Sequence, residues 1–200
     1  MMPEAELALF RAFPRLRAAL PRHRFLTGPT PVRPLSMCGF GAGSLFVKHD
    51  ECCCSLYGGN KPRKLEFLIG EALRRGSRRL VTSGALGTHH GLATCVLGRA
   101  AGLETTLVLV HQPVSEEVQH SLHLRAAFGA RQVYASSVAE AVLQSARVLA
   151  ASTLVGERPY LVWTGGSSAR GDVGFVAAAF ELAEQVRDGQ MPEPSEIWVP

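Results

Sequence analysis

From residue 44 onward the chain alternates two kinds of segment. Short apolar runs occupy 44–49, 78–84, 105–110, 131–135, 160–164 and 196–199, and they read as strands. Between them, apolar residues recur at three- and four-residue spacing over 61–75, 88–102, 115–128, 138–151 and 172–188, the pattern of helices with one buried stripe. A helix between successive strands is the crossover that parallel pairing requires. The alternation therefore predicts an α/β fold with mainly parallel sheet, layered between helices. Right-handed crossovers would bring the C-terminal ends of the strands to one edge, where ligands bind in such sheets. The turns expected there include "TSGALGTHHG" and "WTGGSSARGD", both rich in Gly, Ser and Thr and both leading into helices.

Two hundred residues suffice for one good-sized domain or for two small lobes. With 46% hydrophobic and 19% charged residues the composition is that of a globular chain. The formal net charge is only +4, and the lysines and arginines are scattered without interleaved aromatics, so no nucleic-acid surface is expected. No run reaches the roughly 18 apolar residues of a membrane span. Glu4 and Glu6 break up the N-terminal segment, which makes the cytoplasm the default location. Five cysteines, three of them consecutive at 52–54, match neither a disulfide framework nor a zinc spacing. An apolar strand at 196–199 followed only by Pro200 reads as part of an unfinished sheet, and so as the N-terminal piece of a longer chain.

Familiar nucleotide motifs fail: "GFGAG" at 39–43 precedes a strand instead of following one, and there is no P-loop. What stands out is "GGNKPRKLEF" at 58–67, where Lys61, Arg63 and Lys64 crowd the start of a helix. That end of a helix disfavours cations. Neighbouring charges and the helix dipole both disfavour the ammonium form, so Arg63, Lys64 and the dipole are expected to lower the pKa of Lys61. An amine nucleophile needs its neutral form to make a Schiff base with a carbonyl. On these residues alone a solvated basic turn remains the competing reading. The two hydroxyl-rich turns add helix starts suited to a carboxylate or phosphate.

Taken together, these segments resemble the pyridoxal-5′-phosphate enzymes of the tryptophan synthase β-subunit-like fold (fold type II). The likeness is strongest to the 1-aminocyclopropane-1-carboxylate deaminase/D-cysteine desulfhydrase group. "GPTPVRPL" at 28–35 resembles the group's Pro-Thr-Pro-Leu entry segment, and "LFVKHDE" at 45–51 its strand ending in Lys-x-Asp-Asp. "GGNKPRKLEFLIGEAL" at 58–73 follows the signature GGNK-x-RKLE-[FY]-L nearly residue for residue. "GALGTHHGLAT" at 84–94 is similar to GG-I-Q-S-N-H-x-R-A-T, with Thr88-His89 in place of Ser-Asn and Leu92 in place of Arg. "TGGSSARGDVGFV" at 164–176 resembles a glycine- and serine-rich segment on the substrate side.

The resemblance implies two lobes of three-layer parallel sheet, a small one over 61–157 and an incomplete larger one from 1–60 and 158–200. It implies pyridoxal 5′-phosphate as cofactor, with Lys61 its Schiff-base lysine and Asn60 and His89 beside it. Thr88 would bind the substrate carboxylate, with His90, Gly165 and Ser167 also on the substrate side. The substrate would be a small amino acid, cleaved at a C–N or C–S bond, and the full-length protein a homodimer. After the strand matching "EIWVP" the family places a Gly-rich phosphate loop, which does not occur here, so a truncated or non-catalytic relative is the alternative. An unrelated α/β nucleotide binder would leave "GGNKPRKLEF" unexplained.

Overall fold

The computed structural model describes residues 6–39, 41 and 43–199. Two short helices, α1 (Ala8–Ala12) and α2 (Leu16–Ala19), precede an antiparallel pair, β1 (Val32–Pro34) with β2 (Phe46–Lys48). Then come α3 (Lys61–Arg74), β3 (Arg79–Ala85), α4 (His89–Ala100), β4 (Glu104–Val110), α5 (Glu116–Ala127), β5 (Arg131–Ala135), α6 (Val138–Leu154), β6 (Tyr160–Leu161) and α7 (Ala169–Arg187). Strands β3 to β6 form one parallel sheet in the order β5-β4-β3-β6.

Alternation along β4 assigns the layers. Leu107 and Leu109 share a core with Cys95 of α4 and Val118 of α5, whereas Val108 packs with Ala135 and Ala141 of α6. Successive side chains of a strand face opposite ways, so α4 and α5 cover one face and α6 the other. The apolar stripe of α3, from Leu65 through Leu68, Ile69 and Ala72, joins Leu80, Ala93, Leu97 and Val162 in the main core. Cys53 and Cys54 are buried in that core as free thiols, with Cys53 pushed up to about 12 by burial. No helix is long and apolar enough among the described residues to cross a membrane.

Expected element types are recovered with shifts of a few residues, apart from the last strand. Residues 196–199 form no strand, and Ile197, Trp198 and Val199 are 64%, 70% and 69% exposed. A strand exists only against a partner, and no described strand lies beside this one. Helix α7 starts three residues before the expected 172, because Ser168 accepts the Gly171 N–H and caps the helix there.

Two helices that the chain separates by nearly a hundred residues, α3 and α7, lie against each other. Gly174 permits this: a Cβ placed there would collide with the backbone at Arg63 and Lys64. On the other side of α3, a Cβ at Gly70 would stand 2.6 Å from the Pro21 carbonyl oxygen. Helix α1 adds Leu9 and Phe10 against Phe67 and Ala177 across this same pair.

The polar tie between these elements is Arg63, which is 1% exposed. Its Nε and Nη2 donate to both oxygens of Asp50 at 2.8 and 2.7 Å. Nη1 and Nη2 donate to Glu181 of α7 at 3.1 Å each, and Nη2 also to Thr30 Oγ1 at 3.0 Å. Lys48 Nζ joins from β2, at 2.6 Å from Glu181 and 2.7 Å from Gln185. Burial opposes each charge, but the bonds among them prevail: Arg63 is held more firmly protonated and Glu181 below the usual carboxylate range. Glu66 acts similarly one turn on, taking Arg22 and the backbone N–H groups of Phe25 and Leu26.

Replacing Arg63 by Ala strands the buried carboxylate of Glu181 and the half-buried one of Asp50 and is expected to destabilise the fold by about 3 kcal/mol, read from urea unfolding. Gly174→Ala is expected to cost about 1–3 kcal/mol by forcing α3 and α7 apart, with unchanged secondary structure by circular dichroism.

Candidate functional site

Three segments meet at the C-terminal edge of the sheet: the first turn of α3, the turn from β3 into α4, and the turn from β6 into α7. The last, residues 164–168, packs against α3, α4 and β3. A hydrogen bond of 2.8 Å between the Ser83 and Thr164 hydroxyls fastens it to the end of β3. Gly166 lies at φ +68°, and a Cβ there would sit 3.2 Å from Leu68 and 3.3 Å from His90 Cε1. Only glycine suits both that backbone and that closeness.

The three cations of the signature have separate destinations. Arg63 turns into the buried acids of the scaffold. Lys64 reaches α7, where Nζ stands 3.1 Å from Asp172 Oδ1, donates to Ser167 Oγ at 3.3 Å and lies 5.1 Å over the Phe175 ring. Lys61 is half-buried and donates to Asn60 Oδ1 at 2.7 Å. Its pKa is lowered, first by burial and then by the charge of Lys64. The direction agrees with the sequence reading, but the causes differ. Arg63 contributes nothing among them because two carboxylates neutralise it, and burial, invisible in the sequence, leads.

Thr88 caps α4, its Oγ1 accepting the Gly91 N–H at 3.2 Å, so the hydroxyl proton is left to donate. The side chain fits between Gly84 and Gly91, each of which would clash with it if it carried a Cβ. The adjacent histidines diverge: His89 is exposed and His90 is 4% exposed. The Tyr57 hydroxyl donates to the His89 carbonyl at 3.1 Å, which ties the turn before Asn60 to the start of α4. His90 Nε2 lies 3.3 Å from Thr82 Oγ1, while Nδ1 is buried without a protein partner. Burial, reinforced by the charges of Lys61 and Lys64, lowers the His90 pKa to about 4, so the ring is neutral at pH 7.

Thus Lys61, Asn60, His90 and the Gly165–Ser167 turn are gathered about the start of α3, with Thr88 one turn away on α4. Gly165 is half-buried, Ser167 is exposed and engages Lys64, and His89 points to solvent. Sequence reasoning had not singled out Tyr57, Thr164 or Asp172, nor Gln112, whose Oε1 accepts the Gly87 N–H at 3.1 Å. For Gln112 and Thr164, the position just after a strand end was the available signal; Tyr57 and Asp172 carried none.

A half-buried amine, an amide beside it and two capped helix starts with free N–H groups make an edge suited to a phosphorylated carbonyl compound. The chain belongs to the family of pyridoxal-phosphate dependent enzymes, whose model matches residues 24–200. The cofactor of that family is pyridoxal phosphate, and the residues present fit it: Lys61 supplies an amine of lowered pKa, with the Asn60 amide oxygen on it. The chain is 33% identical over 174 residues to D-cysteine desulfhydrase of Serratia proteamaculans, covering 84% of this chain and 52% of that protein. With D-cysteine desulfhydrase of Salmonella typhimurium the identity is 31%, over 84% and 53%. Among solved structures, an ACC deaminase homologue superposes with a TM-score of 0.73 at 29% identity, over 92% of this chain and 55% of that one. A cysteine synthase from Entamoeba histolytica shares the fold, with a TM-score of 0.60 at 16% identity. The chain spans about half the length of the curated relatives it matches.

His90 gives this site a pH signature. Its folded pKa of about 4 lies below the ordinary 6.5, so the unfolded chain binds the proton more tightly. The stability is therefore complete above about pH 6.5 and falls as pH drops toward 4, by on the order of 3 kcal/mol. His90→Gln is expected to flatten urea-unfolding stability across that window. Glu71 and Glu157, held at about 2 by Arg74 and Arg79 respectively, act only below about pH 4.5.

Proposed function

We propose that this chain carries the lysine-bearing part of a pyridoxal-phosphate-dependent deaminase or desulfhydrase acting on a small amino acid. The observation that carries the reading is Lys61: a half-buried amine with a lowered pKa, at the edge where three turns converge. The relatives named D-cysteine desulfhydrase and ACC deaminase homologue support C–S or C–N cleavage as the reaction class. When bound, the cofactor supplies an electron sink for the bond broken at the substrate's Cα.

In this reading Lys61 Nζ holds the cofactor covalently, and Asn60 Oδ1 orients that amine. Lys61 Nζ would also accept a proton from the substrate's Cα and return it, a task that its lowered pKa favours. The Thr88 hydroxyl donates to the substrate carboxylate, aided by the N–H groups opening α4. His90, Gly165 and Ser167 would bound the substrate side, and His89 would sit beside the cofactor. The division into a small lobe over 61–157 and part of a larger one from 1–60 and 158–200 belongs to the same proposal. So do a homodimeric full-length protein and a cytoplasmic location.

The test is a titration of the purified chain with pyridoxal phosphate. Wild type is expected to develop an absorption band distinct from free cofactor, and borohydride is expected to fix the cofactor's mass on Lys61. Lys61→Ala is expected to show neither. A folded wild-type chain without the band would overturn the catalytic reading and favour a non-catalytic relative. Thr88→Val is expected to keep the band and to weaken amino-acid binding roughly tenfold, the loss of one charge-assisted hydrogen bond. Sulfide release from D-cysteine against ammonia release from 1-aminocyclopropane-1-carboxylate distinguishes the two bond classes.

A further inference from the structure

A cavity of about 690 Å³ runs along the open side of β6, away from Lys61. It lies within the ordinary range for small-molecule sites. Because Val162 donates its N–H to Val81 on β3, the alternation of a strand turns the N–H and C=O of Leu161 to the cavity side. Arg75, Arg158 and Arg170 stand around it, together with the rings of Tyr160 and Trp163. Ser77 and Ser168 add hydroxyls.

The charge there is unbalanced. One carboxylate, Glu71, serves Arg74 and Arg75 directly and Arg170 at 3.8 Å. Arg170 also donates to the Ala19 carbonyl at 3.0 Å, and Arg75 lies 5.4 Å over the Tyr160 ring. Arg158 has no acidic partner among the described residues. It is also, among the described residues, the one non-glycine held at positive φ, at 47°. Backbone strain of this sort persists where the surroundings impose it and gathers at ligand sites. Its Nη1 would stand 3.2 Å from a Cβ on Gly76, so the guanidinium crosses that glycine at the cavity wall. At the far end Trp163 is 64% exposed, a large flat ring with no cover.

We infer that this cavity is a second binding site, for a nucleoside phosphate: the arginines take the phosphate and the exposed Trp163 ring takes the base. Guanidinium forks match phosphate oxygens in pairs, and an exposed indole stacks flat heterocycles. The cavity meets the 164–168 turn through Ser168 and Leu68, so an occupant touches the wall of the Lys61 site without entering it. This inference stands apart from the proposed reaction.

The test is calorimetric titration of the pyridoxal-phosphate-loaded protein with AMP, beside inorganic phosphate and adenosine. AMP is expected to bind at least tenfold more tightly than either half, and to weaken as salt rises. Arg158→Gly suits the left-handed backbone and removes the charge; it is expected to fold and to weaken AMP about tenfold. Arg158→Asn, which also tolerates that backbone, serves as a second variant, and Arg158→Lys is expected to fall between. No AMP binding at millimolar concentration would overturn the inference. Equal affinity in wild type and Arg158→Gly would do so as well. Loss of the cofactor's absorption band on adding AMP would also overturn it, by placing the nucleotide at Lys61.

Discussion

A single buried guanidinium decides how the parts of this chain meet. Arg63 sits two residues beyond Lys61 and bonds to Thr30, Asp50 and Glu181, three points that the sequence scatters over 150 residues. Isolated, such a charge would be expelled from the interior; satisfied on every side, it fixes where the first turn of α3 lies. The energetic gain over an apolar packing is small, but the geometric consequence is large. Lys61 inherits its position from a neighbour that takes no part in its chemistry.

The same turn resolves an electrostatic conflict. Three cations in four residues at a helix start would repel one another in solvent. In the fold, Arg63 is neutralised by Asp50 and Glu181, and Lys64 is drawn to Asp172. Among the described residues Lys61 hydrogen-bonds to the neutral Asn60, so burial acts on it with little opposition. The cluster thus sorts its charges by direction: one holds the scaffold, one links the two helices and one is left beside a neutral amide. Paired histidines divide in the same fashion, His89 into water and His90 into the interior beneath Gly166.

Much of this was legible in the sequence, because apolar period alone separates strand from helix when both alternate. The run "TTLVLV" became β4, and the stripe of α3 lies where its spacing placed it. Candidate site residues stood out through "GGNKPRKLEF" and the glycine-rich turns, since tight turns and close approaches demand particular residues. Less legible was everything that depends on distance in the chain. Nothing near Arg63 announces Glu181 as its partner, and nothing in "THH" says which ring is buried. The strand expected at 196–199 failed for a related reason, since apolar content gives a segment its propensity but only a neighbouring strand gives it hydrogen bonds.

Glu181 lies 118 residues beyond Arg63, and that interval bears on how the protein comes into being on the ribosome. The parallel sheet can close once Leu161 has been made, but α7 follows it. Until α7 emerges, Arg63 and Lys48 lack their shared carboxylate, and the face of α3 that Gly174 will cover stays wet. The nascent chain therefore passes through a stage with a finished sheet and an unanchored lysine turn. Contacts of such long sequence separation form late, so the edge that carries Lys61 is expected to be the last part of this chain to become ordered.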